Sequence, residues 1–296
     1  MLWNGGKMRA FAITTDSNSD LPKEYLEQNE ITVISHYYDI DGTVYGEDNL
    51  LPDHEFYEKM REGKLPTTMA SNPDVILKTF HKLVEEGKDV LHISFSSALS
   101  GGFSNVSVGA REVCEENPNA KIVVWDTLSV SLGEGMFVRK AVELREQGKS
   151  LEETVAWLEE NRDKVCVQFT VDDLFHLHRG GRLSKSAAVL GTLVNIKPIL
   201  HVTEEGGLAA LTKVRGRKKS IQTLVDNMAE KVGSVDQTKE TVCIVHGDCL
   251  EDALLLQEKI KERFAPKEIL INTIGPSIGA HSGPNALGLM FVCDKK

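Results

Sequence analysis

The chain has 296 residues, enough for one large domain or two of ordinary size. Its 41% hydrophobic and 26% charged residues are the balance of a globular protein with a real core. A net charge of −10 argues against nucleic acid or an anionic membrane surface as a partner, since both select for basic patches. No apolar run reaches the roughly 20 residues needed to cross a bilayer, so no membrane span is expected.

The opening "MLWNGGKMRAF" has no apolar stretch of the secretory type; a strand pattern begins at Met8. "RAFAITTDS" and "ITVISHYYDI" are strand candidates, rich in β-branched and aromatic residues. "PDHEFYEKMREG" and "NPDVILKTFHKLVEEGKD" read as helices opened by Pro and closed by Gly63 and Gly87. "DVLHISFS" and "KIVVWDT" are buried strands, each followed by a helix, "SNVSVGAREVCEEN" and "EGMFVRKAVELREQG". Strands separated by helices favour a parallel sheet covered on both faces.

"SLEETVAWLEENRDK" carries a capping-box pattern, Ser150 with Glu153, and bridges two halves. Beyond it "VCVQFTV", "NIKPILHV", "LAALTKVR", "TVCIVHG", "EILINTI" and "LGLMFV" are strands, with helices at 218–232 and 249–264. Gly206-Gly207 turns one pair into a hairpin, so this half is mixed and partly antiparallel. The expected architecture is α/β with two domains, a parallel-sheet domain over 8–165 and a mixed α+β domain over 166–296, meeting along a cleft.

Five cysteines, Cys114, Cys166, Cys243, Cys249 and Cys293, are scattered with no C-x-x-C. They read as reduced thiols of a cytoplasmic protein, without structural disulfides.

Several loops carry chemistry. "TTDSNSDLP" after the first strand fits an Asx-turn, with Ser17 or Ser19 as ligand contacts at a carboxyl strand end. "SFSSALSGGFSN", between a strand and a helix, offers Ser97, Ser100, Gly101 and Gly102. Hydroxyls and free amides there suit an anion cradle, and no Walker or G-x-S-x-G pattern is present. "LPTTMASNPD" is a second hydroxyl-rich loop, capping a helix and placing Thr67 or Thr68 towards the same cleft.

"LFHLHRGGRLSKS" has His176 and His178 on one strand face but no third ligand at metal spacing, so no metal site is expected. Arg179 and Arg182 around Gly180-Gly181 form an exposed basic knuckle suited to an anion or an acidic partner. "KVRGRKKS" (213–220) extends that patch or begins a solvated helix. His281 stands alone among small residues in "TIGPSIGAHSGPNALGLMF", a glycine-rich stretch that brings backbone close to another element or to a ligand. No serine–histidine–acid triad is evident.

The order "TTDSNSDLP", "PTTMASNP", "SSALSGGFSN", "LFHLHRGGRLS", "NIKPILHV" and "IGPSIGAHSGPNALGL" resembles the DegV family of fatty-acid-binding proteins, from about Met8 to Val292. The resemblance implies a two-domain α/β protein holding one long-chain fatty acid, its tail in an apolar tunnel and its carboxylate near the domain junction. Thr68, Ser100 (with Ser97 second), Gly101 and His281 align with the carboxylate-binding positions. The resemblance also implies a non-enzyme without a cofactor, which presents the acid to a separate fatty acid kinase for acyl-phosphate formation in phospholipid synthesis. Arg179 and Arg182 are then candidates for partner or phosphate contact. An acyl hydrolase or transferase using Ser100 and His281 is the alternative. The chain departs from the family's common T-S-Q-P-S-P and S-G-T-Y-Q-S, and Asn285 stands where a glycine often follows the second Gly-Pro.

Overall fold

The computed structural model describes residues 11–172, 174–183 and 195–296. The start of the first predicted strand (8–10) and the "SKS" of the arginine motif (184–186) lie outside them.

Four parallel strands form the first sheet: β1 (Phe11–Asp16), β2 (Thr32–Ile34), β6 (Asp89–Ser94) and β7 (Ile122–Asp126), in the order β2-β1-β6-β7. Six strands form a mixed sheet: β8 (Val165–Thr170), β9 (Ile196–Val202), β10 (Leu208–Arg215), β11 (Thr241–His246), β12 (Glu268–Thr273) and β13 (Leu287–Val292). Their order is β10-β9-β8-β13-β11-β12. Only β11 and β12 pair in parallel there, and the hairpin turning at Gly206-Gly207 is antiparallel as expected.

Two short strand events depart from the sequence reading. "ITVISHYYDI" is two strands in different sheets. β2 joins the parallel sheet, whereas β3 (Tyr37–Ile40) joins β4 (Thr43–Tyr45) and β5 (Thr67–Met69) in a small antiparallel sheet ordered β4-β3-β5. The Thr67-Thr68 loop is thus a strand first; Asn72 caps the helix that follows, accepting from Asp74 N at 3.0 Å.

The helices build layers. α3 (Pro73–Glu85) and α4 (Gly102–Glu116) cover the outer face of the parallel sheet through Ile76, Phe80, Val106 and Val113. α8 (Arg217–Lys231) and α9 (Leu250–Phe264) cover the outer face of the mixed sheet through Leu224, Met228, Leu256 and Ile260. Between the sheets lies α5 (Leu132–Glu146), which touches strands of both. Most of its faces are buried, with a part-exposed stripe through Arg139, Lys140 and Glu143. Strand periodicity sorts the rest: Val242 and Ile244 of β11 face α8 and α9, while Cys243 and Val245 face the α5 side.

Three smaller helices complete the frame relevant to function. α2 (Asp53–Arg61) buries Phe56 and Tyr57 against the small sheet, α7 spans Phe175–Arg179, and α10 spans Pro276–Ser282. α6 (Leu151–Asn161) opens on the predicted capping box, realised in both directions by Ser150 and Glu153. α1 (Lys23–Gln28) follows Pro22. No described helix is long and apolar enough to cross a membrane.

The reading of all cysteines as free thiols is corrected. Cys166 on β8 and Cys293 just past β13 form a disulfide, with Cα atoms 6.1 Å apart. The two strands are antiparallel neighbours, so residues 127 apart in the chain meet across one ladder, which spacing could not reveal. Cys114, Cys243 and Cys249 are free. Closing so long a loop restricts the unfolded chain. Non-reducing peptide mapping should therefore recover Cys166 joined to Cys293, and reduction should lower the urea-unfolding free energy by about 2–4 kcal/mol.

Candidate functional site

The parallel sheet reverses its winding between β1 and β6, and ligands of open α/β sheets bind at the carboxyl ends flanking such a point. The loops leaving β1 and β6 meet there: Asp16 Oδ2 accepts from Phe95 N at 2.9 Å, and Asp16 Oδ1 accepts from Asn18 N at 3.0 Å, the expected Asx-turn. Against this crevice the mixed sheet lines a cavity. Its walls are chiefly apolar, with Val130, Val167, Phe169, Val245, Ile278 and Met290.

Polar side chains from several segments line the cavity, and two pairs of them are in contact. Thr68 on β5 and His281 on α10, 213 residues apart, are joined by a 2.9 Å hydrogen bond between Oγ1 and Nε2. Ser100 lines the same cavity and accepts from Gly102 N at 3.1 Å, at the start of α4. Asn18 and His36 complete the ring, Asn18 Nδ2 lying 3.3 Å from His36 Nδ1. Burial pushes the His281 imidazole down to about 4, with the Arg182 and Arg179 guanidiniums adding to the shift, so it is neutral at pH 7. Three buried polar atoms of the lining have no hydrogen-bond partner among the described residues: His36 Nε2, His281 Nδ1 and Ser282 Oγ. Buried polar groups are rarely left so, and one that faces the cavity, such as His36 Nε2, can meet a polar group of a ligand.

The other expected residues fall elsewhere. Ser97 is exposed, with its amide held by Asp126 Oδ1 at 3.2 Å, and Gly101 is exposed; neither lines the cavity. Ser17 serves structure: its Oγ accepts from His36 N at 2.9 Å. His176 and His178 belong to a helix, where residues two apart point in different directions, and no described metal group includes them.

The exposed basic knuckle is also corrected. Arg179 and Arg182 are half-buried and turned inwards, donating to backbone carbonyls. Arg179 Nη2 reaches Pro66 O at 2.6 Å, beside Thr68, and Ala280 O at 3.3 Å, beside His281. Arg182 Nε reaches Leu99 O at 2.9 Å, beside Ser100. The motif is a brace that holds the three site loops together. Its glycines permit the approach: a Cβ on Gly180 would overlap the His281 imidazole, and one on Gly283 would stand 2.6 Å from the His176 ring. Each histidine of the pair α7–α10 thus packs on a glycine of the other segment.

Asn285 takes the left-handed φ of +61° that asparagine tolerates, and its amide donates to Asp172 Oδ2 at 2.8 Å, away from the cavity. The second run, "KVRGRKKS", ends β10 and begins α8; Arg217 there pairs with Asp252 at 2.9 Å.

Ser100 Oγ and His281 share no hydrogen bond, and no described carboxylate bonds His281 Nδ1, so the nucleophile–base–orienter chain of a hydrolase is not assembled. A second group, His54, Glu58 and Asp248, has metal-like spacing on the surface, but Arg61 already bonds both carboxylates.

Two sheets line one mainly apolar cavity, onto which polar side chains from separate segments converge. The chain belongs to the DegV family: the model described as "Uncharacterised protein, DegV family" matches residues 10–294. A DegV domain-containing protein of Clostridium perfringens is 40% identical over 291 residues, covering 98% of this chain and 99% of that protein. A solved DegV family protein from Thermus thermophilus, described as fatty-acid binding, has a TM-score of 0.87 at 31% identity and covers 97% of this chain and 100% of its own. DegV of Bacillus subtilis, described as a fatty acid binding protein, has a TM-score of 0.84 at 29% identity, with 97% and 100% covered.

His281 titrates near 4 in the folded chain against 6.5 ordinarily, so between these values the unfolded state binds more protons and stability falls as pH falls. Urea unfolding at pH 7 and pH 5 should show a smaller loss in His281→Gln than in the parent protein. Equal losses would mean that the imidazole is not held neutral by burial.

Proposed function

We propose that this protein binds one long-chain fatty acid, with the carboxylate at the Thr68–Ser100–His281 ring and the tail along the apolar wall. It presents the acid to a separate fatty acid kinase rather than transforming it. The observation that carries the reading is the joining of a threonine, a serine and a neutral histidine from three distant segments at the polar side of one apolar cavity. Structural neighbours described as fatty-acid binding support it.

The energetics suit a carrier. Each buried methylene contributes about 0.8 kcal/mol, so the tail supplies most of the affinity. A carboxylate needs several donors to offset its desolvation, at roughly 1.5–3 kcal/mol for each hydrogen bond to a charged group. Neutral donors hold the head group without an ion pair that would resist release. In this reading Arg179 and Arg182 act on head group and partner alike through the loops they brace. The kinase step follows from the family resemblance of the motifs, and its product would be the acyl phosphate.

Native mass spectrometry of the purified protein should show one acyl chain per monomer. Thr68→Ala and Ser100→Ala should each weaken oleate binding by about tenfold, with circular dichroism unchanged. Gly101→Ala, which faces open space, should bind normally. A folded protein that takes up neither oleate nor palmitate would overturn the reading.

A further inference from the structure

Behind the polar ring lies a set of buried acids that the carboxylate-binding residues named so far leave unused. Asp16, Asp20 and Glu134 are all nearly inaccessible to solvent. Asp20 receives the Ser131 hydroxyl and, at 2.9 Å, Gly275 N. Glu134, on α5, receives the Thr15 hydroxyl at 2.7 Å. Burial holds the carboxyls of Asp16 and Glu134 above their ordinary range and that of Asp20 up at about 7. Neighbouring carboxyls add to the shift of Asp20 and Glu134.

One imidazole connects this set to the cavity. His36, 7% exposed, has Nε2 3.9 Å from Asp16 Oδ2, too long for a hydrogen bond, and that nitrogen has no hydrogen-bond partner among the described residues. Its ring packs on the first residue of α4: a Cβ on Gly102 would stand 2.8 Å from His36 Cε1 and 3.4 Å from Ser100 Oγ. The imidazole and the Ser100 hydroxyl therefore converge on the same small space. Facing His36 are Asp16 at the end of β1, Asn18 beside it and His92 on β6, with Glu134 behind Asp16. Across the cavity are His281 and Arg182, the latter engaged by Leu99 O and Gly180 O. No lysine among the described residues lines the cavity.

We propose that His36 is a further carboxylate-binding residue of the site, and that it takes up one proton from solvent as the fatty-acid carboxylate arrives. This rests on the fatty-acid reading above. An incoming carboxylate places negative charge beside an imidazole that already faces the Asp16 carboxyl, and an opposite charge within a few ångströms favours the protonated form. The step is balanced by one proton: neutral imidazole and solvated H⁺ become imidazolium, and the acid stays ionised between His36 Nε2–H and Ser100. The second N–H, on Nδ1, is met by rotation of the Asn18 amide, which then offers its oxygen in place of its nitrogen. Release reverses the exchange, so acid and proton leave together.

The experiment is isothermal titration of delipidated protein with oleate delivered from cyclodextrin at pH 7.5. It is repeated in phosphate and Tris, whose ionisation enthalpies differ, with cyclodextrin alone as the blank. The parent protein should take up close to one proton per oleate. His36→Gln should bind about tenfold more weakly and exchange none, and Asp16→Asn should reduce the uptake sharply. Glu134→Gln should retain it, and loss of uptake there would move the proton to Glu134 and overturn the assignment. If Asp16→Asn does not fold, His36→Gln decides alone, because a histidine of purely structural importance would leave the proton count at one. Tight binding with no buffer dependence overturns this proposal and leaves fatty-acid binding standing. Absence of any binding overturns both.

Discussion

The site depends on two guanidiniums that are spent on backbone. Arg179 and Arg182 donate to carbonyls beside Thr68, His281 and Ser100, and so fix three loops that no shared strand or helix would hold in register. Hydrogen bonds from a charged donor are about twice as strong as neutral ones, and a planar guanidinium can serve two carbonyls at once. The contact surfaces follow from that brace. His281 lies on Gly180 and His176 lies on Gly283, so α7 and α10 interlock through two ring-on-glycine contacts.

The brace has an electrostatic consequence. Arg179 and Arg182 lie close enough to His281 to help keep its imidazole neutral, while donating to backbone carbonyls. Behind the polar ring, burial raises three buried carboxyls above their ordinary range. A ligand's negative charge enters a place where protons, rather than lysines, do the balancing. Ser131, on the wall between ring and acids, is held at a φ of +54° with its hydroxyl on Asp20, a local strain of the kind that gathers at binding sites.

The parts of the fold legible in the sequence are those set by local pattern. The parallel β/α alternation, the capping box at Ser150 and the hairpin at Gly206-Gly207 are all written in a few adjacent residues. "ITVISHYYDI" was not legible in the same way. Both of its halves have strand composition, and only the neighbours available in three dimensions send β2 to one sheet and β3 to another. The site divides likewise. The motif resemblance picks out Thr68, Ser100 and His281, which line the cavity, whereas Ser97 and Gly101, a few positions from Ser100, are exposed and do not.

By itself, the sequence determined the types of the longer elements, the mixed character of the second half, and which segments hold hydroxyls, glycines and histidines. Those follow from periodicity, capping and composition, which act over a few residues. Only the tertiary structure decided that the R-G-G-R arginines face inwards, that Cys166 meets Cys293, and that His36 stands beside Asp16 with Glu134 behind. Each of these joins residues on separate elements, and their meeting is set by strand order and helix packing, quantities that no local spacing encodes.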